Sequence, residues 1–137
     1  MNSQTDFSEI DHTADWAIRV CGATLPELFV NAATGMFSLL ADLSSVEPTV
    51  ERIIKAKGVD AEALLVNWLN ELLYHTEMNG VVFCDFHVEA FEPTHLRAIA
   101  KAGRGLKLKK QIKAATFHNL QITPTHNGYE ATVVFDV

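Results

Sequence analysis

Acidic residues in two places along the chain are of the type that binds a hard cation. Residues 11–15 combine two aspartates, a histidine and a threonine, directly before an apolar alternating segment. The sequence finishes with Asp136-Val137, which places a side-chain carboxylate beside the terminal carboxylate. Calcium and magnesium take oxygen ligands, and carboxylates supply them. If the last strand runs beside the segment that follows Asp15, these acids converge on one metal site.

The same residues also allow plainer roles, which the residue types leave open. Asp15 suits a turn in which its carboxylate accepts hydrogen bonds from nearby backbone N–H groups. Asp11 suits a solvated turn, and His12 suits a strand end where its ring bonds to the backbone. Two carboxyl groups also suffice for general acid–base hydrolysis. No G-x-S-x-G, HExxH or phosphate-binding glycine loop accompanies them, and the six histidines are scattered. We therefore predict no zinc site, and a hydrolase that uses two carboxyl groups stays an alternative that no other motif supports.

The composition is that of a globular domain. The chain has 137 residues, of which 48% are hydrophobic and 20% charged, so we predict one domain spanning 1–137. The net charge of −6 argues against nucleic-acid binding by the surface as a whole. No apolar signal segment opens the sequence, and no run approaches the roughly 20 apolar residues of a membrane helix. We expect a cytoplasmic protein without membrane contact.

Two helices carry clear start and stop signals. Thr24 and Glu27 form a capping box that opens the first helix, which is expected to end near residue 40. Asp60 is the predicted N-cap of the second helix, and Asn79-Gly80 ends it.

Alternation of apolar and polar residues predicts the strands. They are expected at 7–11, 16–21, 50–56, 81–92, 112–122 and 129–137, with a hairpin partner around 96–100. Residues 101–110 are expected to form an exposed loop. Cys21 and Cys84 lie in alternating apolar runs and are predicted to be buried thiols, with a disulfide as the alternative. Two helices with six or seven strands in a mixed or antiparallel sheet predict an α+β fold.

Six of the eleven basic residues fall between residues 101 and 113. Local positive charge of this kind is what phosphate binding needs. No aromatic residue is interleaved with these cations, so no base-stacking platform is visible. A solvated loop, an RNA-binding surface and a surface for an acidic partner stay open. Directly downstream, Thr116 and His118 interrupt an apolar strand, which predicts a buried hydrogen-bonding role or a place in the site.

Five segments, in order along the chain, resemble the archease family. The first resembles that family's N-terminal HTAD motif, the next two its helix motifs, the fourth its IKAxT-aromatic-His strand, and the last its C-terminal aspartate plus aliphatic residue. The segments are His12-Thr13-Ala14-Asp15, Gly22-Ala23-Thr24-Leu25-Pro26-Glu27-Leu28-Phe29, Trp68-Leu69-Asn70-Glu71-Leu72-Leu73-Tyr74, Ile112-Lys113-Ala114-Ala115-Thr116-Phe117-His118 and Asp136-Val137.

The resemblance implies a function and a fold. It implies a non-enzymatic accessory protein that activates a tRNA-splicing RNA ligase of the 3′-phosphate/5′-hydroxyl joining type, by promoting its guanylylation and multiple turnover. A chaperone-like binding module for an RNA-modifying enzyme, such as a tRNA methyltransferase, is the alternative. The implied fold is a single-domain sandwich of the SHS2 type, built on a strand-helix-strand-strand unit.

The resemblance also implies a metal site. The implied ligands are Asp15, Asp136 and Val137, and the cation is calcium ahead of magnesium or manganese. Further residues in the motifs are expected to support the ligands or contact the partner; these are His12, Thr13, Lys113, Thr116 and His118. RNA itself is expected to be contacted only indirectly or weakly.

One segment departs from the family pattern. Many members have an acidic, histidine-containing loop before the IKAxT strand, whereas residues 104–111 here are basic and lack the histidine. If that loop contacts the ligase, the partner surface of this chain differs.

Overall fold

The structure is a computed structural model that describes residues 7–11 and 16–137. The chain alternates short strands with two long helices, and most strands follow the second helix. The strands are β1 (Phe7–Asp11), β2 (Trp16–Gly22), β3 (Val50–Lys57), β4 (Val81–Glu92), β5 (His95–Arg104), β6 (Ala114–Ala115), β7 (Thr123–Thr125) and β8 (Gly128–Asp136). The helices are α1 (Leu25–Leu40) and α2 (Ala61–Asn79), and a 3-10 turn spans Leu43–Ser45.

The strands form two antiparallel sheets. The larger sheet has the order β1-β2-β8-β6, with β7 also paired to β8, and the smaller sheet has the order β3-β5-β4. The α+β fold predicted from the sequence is confirmed, with two sheets where one was expected. The last strand, β8, lies inside its sheet, as its apolar residues require, whereas β1 lies at an edge.

Both helices begin and end at the predicted residues. The Thr24 hydroxyl accepts a hydrogen bond from the Glu27 N–H at 3.3 Å, and Asp60 Oδ1 accepts one from the Ala63 N–H at 2.8 Å. Gly80 ends α2 in the left-handed conformation, with φ of +65°, which glycine adopts without steric cost.

Each helix packs against both sheets, so the core lies around the helices. A Cβ atom at Gly35 of α1 would come within 2.9 Å of Ile18 Cδ1, which shows how closely this helix approaches the larger sheet. From the same helix, the Phe37 ring meets the Phe83 ring of the smaller sheet edge-to-face, with centroids 5.6 Å apart. The small residues of α1 thus face one sheet closely while its aromatic residues fill the space to the other.

Two predicted boundaries are wrong. The strand expected over residues 112–122 is confined to Ala114–Ala115, because the chain leaves β8 after Thr116 and turns at Asn119, which has φ of +51°. The loop expected over residues 101–110 begins late, because residues 101–104 pair with β3 and β4 as the end of β5.

The prediction that both cysteines are buried is also wrong. Cys21 is exposed because it lies on the face of β2 opposite to buried Ile18 and Val20. Cys84 is half-buried at an irregularity of β4 that lets both Phe83 and Phe86 point into the core. The Cys84 thiol donates to the Lys101 carbonyl at 3.7 Å, and burial raises its pKa.

Trp68 links the two helices, which gives a test of the core. Its ring is fully buried, and Nε1–H donates to the Phe29 carbonyl at 3.0 Å. We expect Trp68→Phe to lower the free energy of unfolding by about 1–3 kcal/mol, because it removes one hydrogen bond and leaves a cavity. Urea denaturation measures this. Tyr74→Phe, at a site on α2 that is 56% exposed, is the control and should change it by less than about 0.5 kcal/mol.

Candidate functional site

The start of β2 lies beside the end of β8 in the larger sheet. The two strands are antiparallel neighbours, and the register pairs Trp16 with Phe135. The condition set by the sequence, that the strand after Asp15 runs beside the last strand, is therefore confirmed. Asp15 itself lies outside the described residues, as do His12 and Thr13, so their predicted roles stay predictions.

Asp136 is presented to solvent from a firmly held strand end. Its neighbour Phe135 is fully buried, and because side chains alternate along a strand, the Asp136 side chain points the other way and is exposed. The Asp136 carbonyl accepts a hydrogen bond from the Lys113 N–H at 2.8 Å. Val137 is half-buried and packs against the core cluster. We call this region the strand-end surface, defined by Trp16, Lys110, Lys113, Asp136 and Val137.

The residues predicted to support the site have different positions and contacts in the structure. Lys113 lies at the strand-end surface, with its backbone bonded to Asp136 and its side chain exposed. Thr116 has the predicted hydrogen-bonding role, since its hydroxyl donates to the Val134 carbonyl at 2.9 Å from a partly buried position. His118 is exposed and interacts with the neighbouring Asn119 side chain at 3.3 Å, so a buried role for it is wrong.

Helix α2 holds β6 in place through one side chain. The Asn70 amide donates from Nδ2 to the Ala115 carbonyl at 3.1 Å and accepts at Oδ1 from the Ala115 N–H at 2.7 Å. Asn70 thus occupies the position that a further strand would take beside β6, whose other edge pairs with β8. Farther along, the Glu62 carboxylate accepts from the Ile122 N–H at 3.1 Å. Helix α2 has several other polar residues, so no signal in the sequence singled out positions 62 and 70 for these contacts.

Trp16 and Lys110 form a contact that sequence reasoning did not find. The Lys110 ammonium lies 2.8 Å from the centroid of the Trp16 ring, a cation–π arrangement. The two residues are distant in sequence, so no spacing pattern connects them. The basic residues that appeared to lack an aromatic neighbour therefore have one.

The charges around this surface are mixed in sign. Near it, hydrogen bonds from Ser44 and Ser45 lower the pKa of Asp42, with a smaller contribution from the Lys109 charge. Within residues 7–11 and 16–137, no group of three or more histidine, cysteine, aspartate or glutamate side chains is arranged to hold a metal. The predicted ligand set includes Asp15, outside these residues, and so stays a prediction. No helix in the described part of the chain is long and apolar enough to cross a membrane.

The fold and this surface define a small α+β domain in which two helices pack against two antiparallel sheets. A solution structure of protein 1598 from Methanobacterium thermoautotrophicum matches with a TM-score of 0.78 and 31% identity, covering 96% of this chain and 99% of that one. The crystal structure of an archease from Thermotoga maritima, described as a possible chaperone, has the same fold with a TM-score of 0.66 and 22% identity, covering 93% and 94%.

The family follows from the sequence comparisons. The model of the Archease protein family (MTH1598/TM1083) matches residues 7–137. Protein archease of Methanosarcina barkeri is 37% identical over all of both chains, and that of Archaeoglobus fulgidus is 37% identical over 93% of this chain and 96% of its own. The chain belongs to the archease family.

The Asn70 contact can be tested apart from function. We expect Asn70→Ala to lower the free energy of unfolding by about 2 kcal/mol, since it removes two hydrogen bonds to a partly buried strand. Amide hydrogen exchange at Ala115 should accelerate. Asn67→Ala is the matched control on α2, because Asn67 makes a single bond, to the carbonyl of Lys57 in the smaller sheet at 2.6 Å, and none to β6. Unchanged exchange at Ala115 in Asn70→Ala would contradict the role given to Asn70.

Proposed function

We propose that the protein is a metal-binding accessory protein that activates an RNA ligase joining 3′-phosphate to 5′-hydroxyl ends, by promoting guanylylation of the ligase. Family membership and the pairing of Trp16 with Phe135 support the proposal. That pairing carries it, because the two acids are attached to neighbouring residues, one before Trp16 and the other after Phe135. The proposed ligands are Asp15, Asp136 and the carboxylate of Val137, with calcium as the cation ahead of magnesium or manganese.

The donor chemistry of the described residues fits such a cation. Asp136 offers an exposed carboxylate, and Val137 lies beside it at the end of a strand that is hydrogen-bonded on both sides. Oxygen donors fixed on a sheet lose little conformational entropy when they bind an ion. A bound divalent cation would neutralise the mutual repulsion of these carboxylates and supply positive charge at the strand-end surface.

The same surface is suited to enter a concave site on a partner. Asp136 projects from the end of the sheet, and the exposed Lys113 side chain lies beside it. An acidic group delivered on a rigid strand can adjust the position of metal ions that the ligase itself holds. The role of this chain in that step is to hold the Asp136 carboxylate in place, and Asn70 and Thr116 support it by fixing β6 and β8.

Removing the carboxylates tests whether acidic groups at the strand-end surface activate the ligase. We expect Asp136→Asn and Asp15→Asn each to reduce the rate of ligase guanylylation by tenfold or more, because each removes a charged oxygen donor. A tenfold loss requires a rise of only about 1.4 kcal/mol in the activation free energy. Guanylylation is measured without RNA, from the covalent ligase–GMP adduct. Asp85→Asn, an exposed acid in the smaller sheet, is the control and should activate normally. Normal activation by both Asp136→Asn and Asp15→Asn, with each variant folded, would overturn the mechanism.

Extending the chain tests the Val137 carboxylate separately. Adding a short Gly-Ser segment after Val137 converts that carboxylate to an amide and adds bulk. We expect calcium affinity, measured by titration calorimetry, to fall by about tenfold or more, since a charged ligand is lost. The same segment added before Met1 is the control for the presence of a tag. Equal affinity in both extended proteins would exclude the carboxylate as a ligand.

A chaperone-like module for an RNA-modifying enzyme is the second candidate. The description of the Thermotoga maritima structure as a possible chaperone favours it. A chaperone would protect its client from aggregation equally well with calcium or with chelator, whereas the ligase activator would lose its effect with chelator. Light scattering of a tRNA methyltransferase, with and without chelator, distinguishes the two.

A further inference from the structure

The basic segment, residues 105–113, concentrates positive charge on one side of an acidic protein. It contains four lysines and no acidic residue, while the whole chain has a net charge of −6. Lys107, Lys109 and Lys113 are exposed, and Lys110 is half-buried. Within the described residues the ion pairs are His75–Glu71 and Arg97–Glu89, so none neutralises these lysines. Asp42 and Glu77 approach the segment without pairing with it.

The segment is fastened to the domain although it has no regular secondary structure. The Lys109 N–H donates to the Leu40 carbonyl at the end of α1, at 2.6 Å. The Lys113 N–H donates to Asp136, and Ile112 between them is buried in the core. The Lys110 ammonium is fixed over the Trp16 ring. The lysines therefore project from a held backbone, which reduces the conformational entropy that binding an anion would cost.

A cleft of about 750 Å³ lies beside the lysines. Its lining combines four apolar residues, three polar or acidic residues and two lysines: Leu40, Leu73, Leu108 and Ile112; Thr76, Glu77 and Gln111; and Lys110 and Lys113. This volume falls in the range of about 300–1,000 Å³ typical of ligand sites. Apolar side chains beside cations suit a nucleobase with its phosphates, since apolar contact holds the base while lysines neutralise the backbone. A purely acidic peptide would use the lysines and leave the apolar side chains uncovered.

We infer that the basic segment binds single-stranded RNA, with backbone phosphates on Lys107, Lys109 and Lys113 and one base in the cleft. The choice of RNA over DNA rests on the proposed function. The family resemblance implied only weak or indirect RNA contact, and no aromatic residue is interleaved with the lysines in the sequence. The structure adds the cleft, which places apolar side chains beside Lys110 and Lys113. The site lies next to Asp136, so RNA held here would lead toward the strand-end surface.

Fluorescence anisotropy with the isolated protein tests the inference. The probe is a labelled oligouridylate of about 12 nucleotides, at about 50 mM salt, where phosphate contacts are strong. We expect saturable binding with a Kd of about 1–100 μM. The triple variant Lys107→Gln/Lys109→Gln/Lys113→Gln should bind tenfold or more weakly. Its slope of log affinity against log salt should be shallower by about 2, because three phosphate contacts to a single strand are lost.

A control variant with the same change in net charge shows whether weaker binding depends on the lysines of the basic segment or only on the total charge. Lys55→Gln/Lys57→Gln/Lys101→Gln removes three exposed lysines from β3 and β5 and should leave affinity within about twofold. An abasic strand of equal length should bind about tenfold more weakly than oligouridylate if a base occupies the cleft.

Several results would overturn the inference. These are no saturable binding by the wild type, equal weakening in both triple variants, equal binding of the abasic strand, or competition by polyglutamate as effective as that by RNA. Guanylylation of the ligase is measured with wild type and Asp136→Asn in the absence of RNA, so failure of the RNA assay leaves the Asp136 test of the proposed function intact.

Discussion

The antiparallel pairing of β2 with β8 is the constraint on which the rest of the structure depends. Seven consecutive residue pairs, from Trp16↔Phe135 to Gly22↔Tyr129, join strands from opposite ends of the sequence. Closing such a long loop costs chain entropy before any contact repays it. The buried side chains of both strands, among them Ile18, Val133 and Phe135, supply the compensating apolar burial. The same pairing places Asp136, at the exposed end of β8, beside the start of β2.

Helix α2 serves both as a core element and as a support for the surface that we assign to function. Its leucines and Trp68 are buried, while Asn70 and Glu62 reach out to an irregular segment that has few backbone partners of its own. Buried or partly buried backbone groups need hydrogen-bond partners, and side-chain amides and carboxylates can provide them where no strand does. The segment 112–122 is therefore held by the helix as well as by its short pairing with β8. The basic segment before it is ordered similarly, through Leu40, Asp136 and Trp16.

The differences between expectation and structure have local causes. Capping signals at Thr24, Asp60 and Gly80 predicted the helices correctly, because the bonds that they describe form within one turn. The prediction of a strand over residues 112–122 was wrong because alternation shows only that a segment can form a strand. Whether it does so depends on pairing with a neighbouring strand along its length. The prediction that both cysteines are buried was wrong for a related reason. Which face of β2 is buried, and where β4 is irregular, depend on what packs against them.

The sequence by itself determined the helices, the α+β class and the family, since these depend on local periodicity and on motifs that are read in order along the chain. It also identified Asp136 as a candidate ligand from residue type alone. Only the tertiary structure decided that the start of β2 lies beside the end of β8. The same holds for the hydrogen bonds of Asn70 to β6 and for the position of Lys110 over the Trp16 ring. These are contacts between residues far apart in the chain. No spacing encodes them, because they follow from how the helices and sheets pack together.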